Sequence, residues 1–113
     1  MDKYGTVYML ASGRHGTLYI GVTSALERRI GQHRDESFKG FTTEYDVKRL
    51  VWYETHTAIQ PAIAREKQLK NWKRDWKIVL IEANNPEWRD IAVDFGYAPL
   101  PAGPSRPFRV LPD

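Results

Sequence analysis

Apolar and β-branched residues gather early in the chain in two short runs, YGTVYML at 4–10 and TLYIGV at 17–22. The ASGRHG between them is turn-like, so the pair predicts a β-hairpin. Gly21 is unusual inside the second arm, because glycine weakens a strand. It marks a bulge or a place where another group approaches the backbone closely. Thr23 or Ser24 can then N-cap a helix, and Glu27 stands in capping-box spacing to Ser24. That helix runs over about 25–34, ALERRIGQHR. Residues 35–46 are polar, contain Gly40, show no period and read as a loop. VKRLVWYE at 47–54 is the third strand.

Gln60–Pro61 opens a second helix, with proline near its first position, and the helix extends over about 61–76. The KIVLI run at 77–81 fits either a helix end or a strand. Asn85–Pro86 starts a further helix, in which Trp88, Ile91, Ala92 and Phe95 share one apolar face. The last seventeen residues, YAPLPAGPSRPFRVLPD, hold five prolines and can form neither a helix nor a sheet interior. The order is β-β-α-β-α plus a C-terminal helix. This predicts a small α+β domain over 1–96, a three-stranded antiparallel sheet flanked by helices. Residues 97–113 follow as a proline-rich tail, extended or disordered.

Composition narrows the function classes. A chain of 113 residues with 27% charged and 42% hydrophobic residues is one globular domain. No apolar run approaches the ~20 residues of a membrane span, and MDKYGTVYML is not a secretory signal. With no cysteine, disulfides, cysteine–zinc sites and thiol nucleophiles are excluded. The expected location is cytoplasmic, with any metal held by oxygen or imidazole.

The net charge is +3, and its placement is uneven. Residues 62–77 hold six basic side chains against two acidic ones, a local +4. Such a stripe suits a polyanion partner, although a solvated helix face reads the same way.

Several polar residues stand where a core is expected. On the second long helix Ala62, Leu69, Trp72 and Trp76 fall at helical spacing, and Glu66 lies among them. A carboxylate on that face needs an ion-pair partner, such as an arginine, or a metal. Arg29 and His33 are neighbours one turn apart on the first helix. Tyr8 and Tyr19 lie one on each hairpin arm, placed for an aromatic cross-strand pair. Phenols, a guanidinium, an imidazole and a carboxylate thus share three neighbouring elements beside a basic stripe.

These residues resemble the GIY-YIG nuclease family, and the chain is similar to its small stand-alone bacterial members. Thr6-Val7-Tyr8 matches the first motif and Tyr19-Ile20-Gly21 the second. LYIGVTSALERRIGQH (18–33) matches the segment that follows, and AREKQLKNW (64–72) resembles the glutamate-bearing helix. Thr6 and Val7 depart from the usual glycine and isoleucine, while the tyrosine is kept. The likeness covers about 4–82 and leaves the tail out.

The resemblance implies a metal-dependent DNA endonuclease, a hydrolase of phosphodiester bonds of the kind used in DNA repair; no base-reading module fits in the remaining residues, so weak or structure-directed specificity is expected. It implies catalytic roles for Tyr8, Tyr19, Arg29, His33 and Glu66, with Glu66 the ligand of Mg²⁺ (or Mn²⁺). One carboxylate with waters and phosphate oxygens suits magnesium, and a guanidinium fork suits phosphate. Metal and guanidinium charge would lower the Tyr8 phenol toward a base, with His33 accepting or relaying a proton or hydrogen-bonding that phenol, and which of the two is the base stays open. Asn71 is a further candidate beyond the glutamate.

Arg28, Arg34, Lys70, Lys73 and Arg74 are the expected DNA-binding residues, through backbone phosphates. His15 and His56 are read as bystanders. Two alternatives stand beside the nuclease. One is a non-cleaving nucleic-acid-binding module acting in a complex. The other is a protein that engages a partner through the PxxP segments Pro101–Pro104 and Pro104–Pro107.

Overall fold

The structure is a computed structural model, and it describes residues 4–34, 46–98 and 100. The fold is α+β as expected: a three-stranded antiparallel sheet flanked by helices. Strands β1 (Gly5–Ala11) and β2 (Leu18–Thr23) form the hairpin, and β3 (Arg49–His56) pairs with the other edge of β1. The sheet order is β2-β1-β3. Helix α1 (Leu26–Arg34) follows β2, and α2 (Ile59–Lys70) and α3 (Arg74–Asn84) follow β3. A 3₁₀ helix, Ile91–Phe95, closes the described chain. The expected 35–46 loop and most of the proline-rich tail lie outside the described residues.

β1 is buried along its whole length because both faces of the sheet are covered. Val7, Met9 and Ala11 point to one face, where Ala62 and Leu69 of α2 and Ile81 of α3 meet them. Tyr8 and Leu10 point to the other face, against Ile30 of α1 and Ala92 of the 3₁₀ helix. The strand's period of two therefore feeds two separate cores. Gly5 sets how closely α2 approaches. A Cβ there would stand 2.7 Å from Ala62 Cβ and 2.8 Å from the Ile59 Cα. Gly5→Ala is expected to push α2 off β1 and cost about 2 kcal/mol. Thermal melting checks this, and an unchanged Tm would show that the helix start shifts freely.

Register departs from a simple ladder at one point. Met9 pairs with Trp52 and Leu10 with Leu50, so Val51 is an extra residue in β3. Such a bulge turns Val51 and Trp52 toward the same core. The Asn85 side-chain amide donates to the Val51 carbonyl at 3.1 Å, satisfying a buried group left beside the bulge.

Three expectations about the second half need correction. The helix expected over 61–76 ends at Lys70, and a second helix begins at Arg74. Asn71 caps the first: its amide donates to the Lys67 carbonyl at 3.1 Å, its backbone N–H donates to the Gln68 carbonyl, and the Trp72 N–H donates to that of Leu69. Lys73 is extended, so Trp76 leaves the line of Ala62 and Leu69 and is 54% exposed. The ambiguous 77–81 run is helical, inside α3.

The helix expected from Asn85–Pro86 does not form. Asn85 Oδ1 accepts from the Arg89 N–H and its amide donates to the Arg89 carbonyl. These groups would otherwise enter a helical ladder. Trp88 takes a positive φ of 56° and packs with the α2–α3 core, while Ala92 and Phe95 pack with the α1 core. Only Ile91–Phe95 coils, capped by Asp90 through the Ala92 N–H.

Candidate functional site

Tyr8 and Tyr19 come from paired strands and face α1. Tyr8 sits opposite Gly21, and a Cβ at Gly21 would stand 2.5 Å from the Tyr8 ring and hydroxyl. The glycine in the second arm is thus the space that the buried phenol occupies. The two tyrosine rings lie 6.2 Å apart, tilted by 46°.

Thr23 Oγ1 accepts from the Ala25 N–H at 3.0 Å and starts α1. One turn of α1 then brings Arg29 and His33 to the phenols. His33 Nε2 and the Tyr8 hydroxyl share a buried 3.1 Å hydrogen bond, and the His33 ring lies 5.6 Å from that of Tyr19. Arg29 and Tyr19 also act electrostatically on the Tyr8 phenol.

The electrostatics run opposite to expectation at Tyr8. Burial pushes the phenol's pKa upward, Tyr19 adds to the rise, and the Arg29 charge offsets only part of it. Tyr8 is a neutral hydrogen-bonding group here, not a ready base. Burial, helped by the Arg29 charge, lowers His33 to about 4. The imidazole is neutral at pH 7.

Glu66 comes from a different element. It lies on α2, with its side chain 15% exposed, and pairs with Lys70 Nζ at 3.2 Å one turn along. The ion pair is with lysine rather than arginine. Glu66 offers a hard oxygen of the kind magnesium takes, as one ligand and not a full set. Among the described residues no group of three or more His, Cys, Asp or Glu side chains converges to hold a metal ion.

Beside the cluster, the start of α1 and the start of α2 border a groove of about 490 Å³. Arg28, Arg29 and Gln32 line it from α1, Thr23 from β2, and Ile59 and Ile63 from α2. Arg28 is exposed, so this groove offers cationic and hydroxyl groups to solvent. Glu66 follows Ile63 by three residues on the same helix.

The five expected phosphate contacts divide. Arg28 lines the groove, and Lys70 is exposed above Glu66. Lys73 lies 5.9 Å over the Trp76 ring. Arg34 is engaged within the fold: it is 12% exposed, and its Nη2 bonds both oxygens of Asp90 at 2.6 and 2.7 Å. Arg74 is also engaged, donating from Nη2 to the His15 and Gly16 carbonyls and tying α3 to the hairpin turn.

Asp90, Asn85 and Glu82 were invisible as structural anchors in sequence. Glu82 accepts from Trp88 Nε1 at 2.7 Å and pairs with His15 at 2.9 Å, so His15 is a structural contact rather than a free loop tip. His56 pairs with Glu54 at 2.9 Å. Tyr97, expected in the tail, donates its hydroxyl to the Glu27 carbonyl at 2.7 Å and packs with the α1 core.

Comparison with known proteins adds a family and three relatives. The pattern of the GIY-YIG catalytic domain matches residues 4–79. A UPF0213 protein of Haloquadratum walsbyi is 29% identical over 82 residues, 73% of this chain and 91% of the relative. A UPF0213 protein of Bacillus pumilus is 26% identical over the same share of this chain and 84% of its own. One from Staphylococcus epidermidis is 29% identical, over 98% of its length. The solution NMR structure of UPF0213 protein BH0048 from Bacillus halodurans is similar with a TM-score of 0.49 and 24% identity. It covers 77% of this chain and 92% of that one.

These findings correct the expected activity. The relatives' names carry no nuclease, hydrolase, magnesium or DNA-repair role, and no cluster of metal-ligating side chains forms among the described residues. A metal-dependent endonuclease, and an enzyme assignment resting on it, are therefore withdrawn. No described helix is long and apolar enough to cross a membrane.

Proposed function

The chain belongs to the GIY-YIG superfamily, and from that premise we propose a nucleic-acid-binding module that does not cleave and that acts within a complex. The observation that carries this reading is the groove between α1 and α2, where Arg28 and Arg29 stand with Thr23. Two guanidiniums and a hydroxyl suit phosphate oxygens. A raised Tyr8 phenol and a neutral His33 beneath them support a hydrogen-bonded floor rather than a proton-transfer centre. DNA is the proposed partner, in the cytoplasm, and the proline-rich tail is the proposed contact for a protein in the complex. Glu66 is the residue that would hold a Mg²⁺ (or Mn²⁺) ion, which would supply positive charge toward phosphate.

The test is the salt dependence of binding. Wild type should bind labelled DNA with affinity that falls steeply between 50 and 200 mM salt. Arg28→Ala should weaken binding several-fold and reduce the log–log slope by about 0.9, the loss of one phosphate contact. Equal slopes for the two proteins would remove Arg28 from the interface.

A further inference from the structure

The helix break at Asn71–Lys73 leaves an aromatic surface that the groove does not use. Trp76 is 54% exposed, and Val79, one turn along α3, is 68% exposed. Trp72 packs partly against the core and meets Trp76 edge-on, with centroids 6.0 Å apart and planes at 83°. Trp72 thereby braces the exposed indole from below. Cations attend both rings: Lys73 Nζ lies 5.9 Å from the Trp76 centroid and Arg65 lies 5.3 Å from that of Trp72. This is the +4 segment of the chain, in which Asp75 and Glu66 are the only acids and Glu66 is paired with Lys70.

An isolated exposed tryptophan needs no explanation. An exposed one, braced by a second indole, with Lys73 over its own ring and Arg65 over its neighbour's, has a defined complement. That complement presents flat π-faces and regularly spaced negative charge. An acidic peptide has the charge without the faces, and a duplex keeps its bases stacked inside. We propose that unpaired nucleotides of a single strand bind here, a base stacking on Trp76 while Lys73 and Lys70 meet the flanking phosphates. The inference deepens the nucleic-acid-binding reading and rests on it. Residues 63 to 70 of α2 span about 10 Å at 1.5 Å per residue. They run from the groove-lining Ile63 toward this patch, so one strand can occupy both.

The experiment follows tryptophan fluorescence and labelled-oligonucleotide anisotropy of the full chain. The probes are oligo(dT), a duplex of equal charge, and vesicles containing phosphatidylserine. Oligo(dT) should quench the fluorescence. Trp76→Ala should lose the quench and about tenfold in single-strand affinity, Trp76→Phe should keep most of that affinity, and duplex binding should be unchanged. Circular dichroism checks that each variant folds, as substitution at an exposed side chain allows. Single-strand affinity within twofold of wild type in Trp76→Ala would overturn this inference and leave the groove reading standing. No binding of any nucleic acid by wild type would overturn both. An emission shift with vesicles and none with oligo(dT) would assign the patch to lipid instead.

Discussion

Asp90→Ala should destabilise the protein by about 3–5 kcal/mol, the cost of leaving a buried charge without its partner. Asp90 is 8% exposed and serves three elements at once. Its carboxylate holds Arg34 at the end of α1, the Leu50 N–H of β3 at 3.2 Å, and the Ala92 N–H of the 3₁₀ helix at 3.2 Å. Alanine removes every one of these acceptors while Arg34 remains 12% exposed. Asp90→Asn keeps an oxygen for the backbone donors and should fall between wild type and alanine. Urea denaturation measures the series. A loss under about 1 kcal/mol for Asp90→Ala would mean that the pair behaves as a solvated surface bridge.

Acid should weaken the fold through His33 before any carboxylate matters. The folded pKa of about 4 lies below the ordinary imidazole value of 6.5. Between these values the unfolded chain binds a proton that the folded chain does not, so stability falls as pH falls. The contribution is fully present above pH 6.5, declines below it, and is exhausted near pH 4. Its size is on the order of 3 kcal/mol. Carboxylates that the fold holds low, at Glu82 and Asp94, act in the same direction but at lower pH. Urea midpoints between pH 7 and 5 therefore isolate the histidine. His33→Gln retains a hydrogen-bond group toward Tyr8 and should flatten the curve over that range. Parallel curves for the two proteins would contradict the assignment.

The hairpin and third strand were legible because β-branched and aromatic residues follow a strand pattern there and glycines mark the turn. The Tyr8–Tyr19–Arg29–His33 cluster was legible for a related reason. Strand pairing fixes the phenols on one face, and one helical turn fixes the arginine and histidine.

The second half was harder to read. No glycine or proline marks the break after Lys70; Asn71 makes it by bonding back to Lys67, and asparagine also occurs inside helices. The apolar spacing of Trp88, Ile91, Ala92 and Phe95 imitated a helix, while the Asn85 side chain held the backbone in a turn. The bulge at Val51 left no trace in a continuous apolar run.

Charge was an incomplete guide at individual sites. Arg34 and Arg74 look like phosphate contacts in sequence, and only their distant partners, Asp90 and the hairpin-turn carbonyls, reveal their engagement within the fold. Sequence counts the charges near Tyr8 and not its burial, which raises the phenol's pKa.

The central claim is binding of nucleic acid without cleavage. The most direct test incubates the full chain with labelled single-stranded, duplex, flapped and branched DNA and with RNA, in Mg²⁺, Mn²⁺ or EDTA. Each sample is divided between a native and a denaturing gel. The account predicts shifted bands on the native gel, weakened by salt and by Arg28→Ala, and intact strands on the denaturing gel in every metal condition. Metal-dependent cutting that disappears in Glu66→Ala would contradict it, as would the absence of any shifted band.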